Sequence, residues 1–202
     1  MARIGMGETC RTATAAIAML AFLSGGARAD ALKVTSSAFE DGGLMAARYA
    51  GHMILKRGET VPSDCGGENI SPPLTWTNVP AGVKSFALII FDPDGAKGSG
   101  VAHWVAYGIA GDRTGLPENF GVAGSPDYIG GTSSSGNHEY NGPCPIPGHT
   151  NHYVFSVYAL DLDRATLKPG LTRDELIAAM KGHVLDVGSI IGRSPSRLRS
   201  GP

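Results

Sequence analysis

No segment of this 202-residue chain holds a run of lysines and arginines, and none reaches the roughly 20 consecutive apolar residues that a membrane-spanning helix needs. The first absence speaks against nucleic acid or an anionic membrane surface as the main partner. The second leaves no integral membrane segment. Cysteine is scarce, at three, and no two cysteines stand at the close spacing of zinc ligands. No G-x-S-x-G elbow surrounds the Ser133-Ser134-Ser135 run, which therefore reads as a solvated loop and not as a nucleophile. Walker-type and G-x-G-x-x-G phosphate loops are missing too.

What the chain does carry begins with a leader. Arg3 and Arg11 precede an apolar stretch from Thr12 to Leu23, and Ala27-Arg28-Ala29 follows as a small-x-small cleavage site. Residues 1–29 read as a secretory signal peptide, with a mature domain over 30–202 in the periplasm or outside the cell. Cys10 lies before the apolar run, which argues against a lipid-attached cysteine. The leader takes three of the 17 basic and one of the 18 acidic residues, so the mature net charge is −3. Export also removes Cys10. Cys65 and Cys144 remain, an even pair in an oxidising compartment and hence a disulfide candidate. Closing that loop stabilises by up to about 4.5 kcal/mol in the chain-entropy model. Two free thiols stay open as the alternative.

Frequent prolines and glycines divide the mature chain into short strands. Residues 32–37, 85–92, 103–109 and 153–160 have strand character. Ser85 to Phe91 is nearly all apolar, as a strand covered on both faces requires. One segment looks helical: Thr172-Arg173-Asp174-Glu175 forms a capping-box pattern, and Leu176, Ile177 and Met180 follow as an apolar face. Residues 184–192 suit a last strand, and the chain from about 194 reads as a loose tail. The fold class is mainly β, with a late helix packed at one side.

Two segments concentrate polar groups beside apolar strands. Asp92-Pro93-Asp94 ends the buried strand, and His103 opens the next one, so a strand–loop–strand connection brings Asp92 beside His103. A carboxylate near an imidazole favours the imidazolium, a good anion-binding group. A turn-capping Asp and a hydrogen-bonded structural His account for the same spacing equally well. The second segment is Tyr140 to Gly148, stiff with proline and glycine, whose backbone N–H groups suit an anion-binding concavity. His149 and His152 invite a metal reading, but the proline-bounded loop offers neither helical geometry nor a carboxylate at ligand spacing, so no metal is assigned.

These segments carry a resemblance. Gly67-Glu68-Asn69-Ile70-Ser71-Pro72-Pro73-Leu74 with Trp76, Val79 to Phe86, Asp92-Pro93-Asp94, His103-Trp104-Val105, and Tyr140-Asn141-Gly142-Pro143 through Tyr153 to Leu160 resemble the phosphatidylethanolamine-binding protein family, in its bacterial Raf kinase inhibitor-like branch. The resemblance spans about Leu32 to Gly192. It implies a large central antiparallel sheet, a smaller second sheet on one side and helix on the other. It also implies a pocket for phosphate-like or acetate-like anions and phosphorylated headgroups, formed here by Asp92, His103, Gly142, Pro145 and Tyr153. Asp94, Tyr140, His149 and His152 are further candidates. The sequence departs from the family pattern at Gly95-Ala96, Val101, Ile146 and Asn151.

The reading that follows is an exported, non-enzymatic binding protein for a small anionic or phosphorylated ligand, with no cofactor and no catalytic residue. Inhibition of a partner kinase or protease ranks second, since members of the family are known as such inhibitors. Hydrolysis by Asp92 and His103 as acid and base ranks last, because no activated nucleophile or metal set accompanies them.

Overall fold

The structure is a computed structural model that describes Met1, residues 30–51 and residues 65–196. The expected signal peptide, apart from Met1, and the chain beyond 196 lie outside the described residues.

Among the described residues nine strands follow in chain order: β1 Lys33–Thr35, β2 Gly43–Leu44, β3 Leu74–Thr77, β4 Ser85–Asp92, β5 Val101–Ala110, β6 Gly115–Leu116, β7 Ile129–Gly130, β8 Thr150–Leu160 and β9 Val184–Pro195. They form a six-stranded sheet, ordered β2-β9-β8-β4-β5-β7, and a three-stranded sheet, ordered β1-β3-β6. The large sheet is antiparallel except at its edge, where the short β2 runs parallel to β9.

The period-two alternation of a strand explains the layering. Along β4, Phe86, Leu88 and Ile90 face a core shared with the small sheet, where Trp76 and Leu74 meet them. Ala87 and Ile89 point the other way, toward Leu176 and Met180 of the helix Arg173–Met180. Hence β4 is apolar on both faces and matches its expected bounds. Each fully buried side chain of this size stabilises by about 1.5–3 kcal/mol. The mainly-β class, with two sheets and one well-formed helix at the side, is the architecture the sequence implies.

The helix starts where expected. Thr172 Oγ1 accepts from the Glu175 N–H, and Glu175 Oε2 accepts from the Thr172 N–H, a complete capping box. Two expectations need correction. Ile177 is 39% exposed and lies off the buried stripe, because one residue further along a helix turns the side chain about 100° away. The last strand continues through Ser194 and Pro195, which pair with Asn151 and Thr150, so the chain is still in the sheet past residue 194.

Cys65 and Cys144 are disulfide-bonded, with Cα atoms 5.2 Å apart. The bridge joins the chain before Asn69 to the loop after Gly142, beside the carboxyl end of β4.

Candidate functional site

At the end of β4, a cavity of about 630 Å³ opens between the loop after Asp92 and the loop 140–149. Asp92, His103, Gly142, Pro145 and Tyr153 all line it. Asp94 and His149 stand on its wall as well.

His103 reaches the cavity through an irregularity in the sheet. Ile90 pairs with Trp104 while the next residue, Phe91, pairs with Ala102, leaving His103 as the extra residue of a β-bulge. Bulges re-aim side chains in this way. Asn141 then holds the residue at both its backbone and its ring. His103 O accepts from the Asn141 N–H at 3.2 Å, and Nδ1 donates to the Asn141 carbonyl at 2.8 Å. With its proton on Nδ1, the ring carries a second proton on Nε2 only as imidazolium. Nε2 lies 3.8 Å from Asp92 Oδ2, close enough for charge attraction but beyond a hydrogen bond. The Tyr153 ring meets the imidazole edge-on, with centroids 5.0 Å apart.

Asp92 is 3% exposed and both its carboxylate oxygens are engaged. Oδ1 accepts from the N–H groups of Asp94 and Gly95, each at 2.9 Å, and Oδ2 accepts from Asn151 Nδ2 at 2.8 Å. Burial opposes its ionisation. The nearby His103 ring, with the Asn151 and Gly95 donors, outweighs burial and holds its pKa below the usual aspartate value. Three of its four lone-pair positions are therefore occupied, and Asp92 orients its neighbours.

Tyr153 is 1% exposed, and its hydroxyl makes no hydrogen bond although it lies beside the Cys144 backbone and the Asp92 carboxylate. Burial, then the Asp92 charge, raises its pKa, so the hydroxyl keeps its proton. Among the described residues, only Trp104 Nε1 is another buried side-chain polar atom without a partner. An unsatisfied buried hydroxyl costs about 1–3 kcal/mol.

Gly142 plays a different part from the one expected. Its N–H donates to Asn69 Oδ1 at 2.8 Å, so it is not offered to a ligand. A Cβ there would overlap the backbone of Tyr49 to Gly51, which makes glycine obligatory for close packing. Tyr140 also stands apart: it is buried in the core and its hydroxyl donates to the Tyr49 carbonyl at 2.7 Å. His152 faces Asp94, not the cavity.

Several residues that hold the site were not among the expected site residues. The Asn69 amide spans Asn141, donating to the Tyr140 carbonyl while accepting from Gly142, and this fixes the carbonyl that His103 uses. Ser135 lines the cavity and accepts from Asn141 Nδ2 at 3.1 Å. Ser133 is buried and Ser134 Oγ accepts from the Ala102 N–H, so the serine run, exposed at Ser134 and Ser135, is also fastened to β5. Asn151 was visible as a departure; its amide ties β8 to Asp92.

This combination of a bulged histidine and an engaged aspartate at the mouth of a two-sheet fold defines a class. Residues 35–194 match the phosphatidylethanolamine-binding protein family, and the chain belongs to it. The chain is 42% identical over 165 residues to a UPF0098 protein of Methanothermobacter thermautotrophicus, covering 80% of this chain and 97% of that one. It is 32% identical over 177 residues to UPF0098 protein YbcL of Escherichia coli, covering 85% and 89%. The crystal structure of E. coli YbcL, described as a member of the mammalian PEBP family, superposes with a TM-score of 0.69 at 27% identity, covering 82% of this chain and 99% of that one. A putative phosphatidylethanolamine-binding protein homologue from Chlamydia trachomatis superposes with a TM-score of 0.66 at 27% identity, covering 85% and 99%. No helix among the described residues is long and apolar enough to cross a membrane.

Proposed function

We propose that this family member is a non-enzymatic binding protein whose cavity takes a small anion, phosphate-like or carboxylate, between Tyr153 and His103. The observation that carries this reading is the buried, protonated and unpartnered Tyr153 hydroxyl beside the imidazole. A ligand oxygen accepting from Tyr153 Oη and from Nε2–H of the imidazolium satisfies both groups. The same geometry disfavours hydrolysis. Nδ1 is committed to the Asn141 carbonyl and Nε2 faces Asp92, so neither ring nitrogen is placed to activate Ser135.

Titration calorimetry with inorganic phosphate and acetate tests the reading. Wild type binds weakly, since a bare anion makes few contacts, and His103→Ala and Tyr153→Phe each lower affinity tenfold or more. Equal binding by wild type and both variants would remove the pocket from the argument.

Export completes the proposal. A Cys65–Cys144 bridge suits an oxidising compartment. Fractionation of the native host places the processed chain outside the cytosol; an unprocessed chain in the cytosol contradicts it.

A further inference from the structure

The anion reading accounts for one corner of the cavity and leaves most of it unused. A water molecule takes about 30 Å³ of liquid, and a phosphate or acetate ion only a few times that. The cavity measures about 630 Å³. One side of its remaining wall is apolar: Val101, Cys144, Pro145 and Ile146 line it. Ile146 is also 59% exposed, so a large apolar side chain stands at the rim with solvent on one side. Scattered exposed apolar residues need no explanation, but this one continues the wall of a cavity with polar groups at its base.

The charges restrict the head group. Asp92 and Asp94 both line the cavity and both are held ionised by their partners. Facing them are His103 at the base, His149 on the wall and Lys97 at the exposed mouth. Asn151, beside Asp92, is neutral and its amide is spent on that carboxylate. Among these groups His103 alone is buried and able to carry a positive charge, and it already faces Asp92 at 3.8 Å. Each negative charge on a ligand therefore lies near an ionised carboxylate, and a second, with no further buried cation to meet it, is costly in a largely apolar cavity.

We infer that the ligand is a small monoanionic carboxylate with an apolar body, its carboxylate on Tyr153 and His103 and its body along Val101, Pro145 and Ile146. This rests on the anion reading above and names the class of ligand for that site. A dianionic phosphomonoester, with about −1.5 to −2 charges at pH 7, fits less well.

The test is calorimetry on the full mature chain with acetate, butanoate and hexanoate, and with hexyl phosphate, at pH 7. Affinity rises along the carboxylate series by up to about fourfold per methylene, and hexanoate binds more tightly than hexyl phosphate. Ile146→Ser, at a position exposed enough to leave folding intact, shrinks the increment per methylene. A flat carboxylate series with measurable acetate binding overturns this inference and leaves the anion reading standing. Tighter binding of hexyl phosphate than of hexanoate overturns the head-group assignment. An unchanged increment in Ile146→Ser overturns the placement of the body. Failure of every anion to bind overturns both this inference and the reading beneath it.

Discussion

Two histidine–aspartate pairs lie side by side at the end of β4, and they differ in nearly everything but chemistry. His152 Nδ1 meets Asp94 Oδ2 at 2.8 Å, with side chains 49% and 43% exposed. His103 Nε2 stands 3.8 Å from Asp92 Oδ2, with side chains 9% and 4% exposed. Distance alone would rank the first pair higher. Burial reverses the order, because water screens the exposed pair and cannot replace the partners of the buried one. In the proposed binding mode the longer contact leaves Nε2 to the ligand, where a true hydrogen bond to Asp92 would occupy it. Asp92 gathers the Asp94 and Gly95 N–H groups and the Asn151 amide beside the imidazole, while Asp94 ties the loop to β8.

The comparison breaks if Asp92 proves dispensable. Asp92→Ala strands the Asp94 and Gly95 N–H groups, the Asn151 amide and a buried imidazole in one step. The expected loss is about 3–5 kcal/mol, read from urea unfolding. Asp92→Asn keeps one acceptor oxygen and loses less. A loss below about 1 kcal/mol for the alanine variant would place Asp92 with the exposed pair.

Acid sharpens the same contrast at intermediate size. Asp92 and Asp94 both have pKa values lowered in the fold, Asp94 through the backbone and side-chain donors of His152. A lowered carboxylate contributes stability that is fully present above its unfolded value of about 3.9 and is lost as pH falls through the folded value. Unfolding midpoints measured from pH 6 down to pH 2 should therefore drop more shallowly in Asp92→Asn than in wild type. Asp94→Asn should follow wild type more closely. Identical profiles for the two variants would mean that burial does not separate the pairs.

The strands beneath this site were far more legible than the site itself, and the reason is range. β4 announces itself because both its faces are covered, which leaves an uninterrupted apolar run from Phe86 to Phe91. The capping box at Thr172 and Glu175 is likewise a three-residue pattern with one meaning. Asp92 and His103 meet because neighbouring strands return the chain to the same end of the sheet. The hold on His103 is another matter. It comes from Asn141, 38 residues away, whose carbonyl is aimed by Asn69, 73 residues before Gly142. No local pattern reports such contacts. The bulge that turns His103 inward depends on a pairing offset with β4 that no single segment encodes. Tyr140 and Gly142 show the converse error: membership of a pocket loop says nothing about direction, and one points into the core while the other packs on backbone. Strands as short as β6 and β7, two residues each, leave no periodicity to read.

The smallest expected effect concerns the exposed pair. Asp94 Oδ2 accepts from both the backbone N–H and Nδ1 of His152, each at 2.8 Å, and so fastens the start of the loop to β8. The loop needs fastening, since Ala96 and Lys97 both sit in the left-handed region, at φ 49° and 58°. Such residues cost on the order of 1 kcal/mol each and persist only where the surroundings hold them. Asp94→Asn retains an acceptor oxygen but loses the charge, so global stability changes by less than about 1 kcal/mol. That difference should vanish in about 1 M salt, where the Debye length is near 3 Å. Local opening is the more sensitive readout: amide hydrogens of residues 95–98 should exchange faster in the variant while those of β4 do not. Unchanged exchange there would mean that the loop is held by its own backbone bonds, from Ser99 and Gly100 to Ala96 and Gly95, and that only the buried pair matters to the pocket.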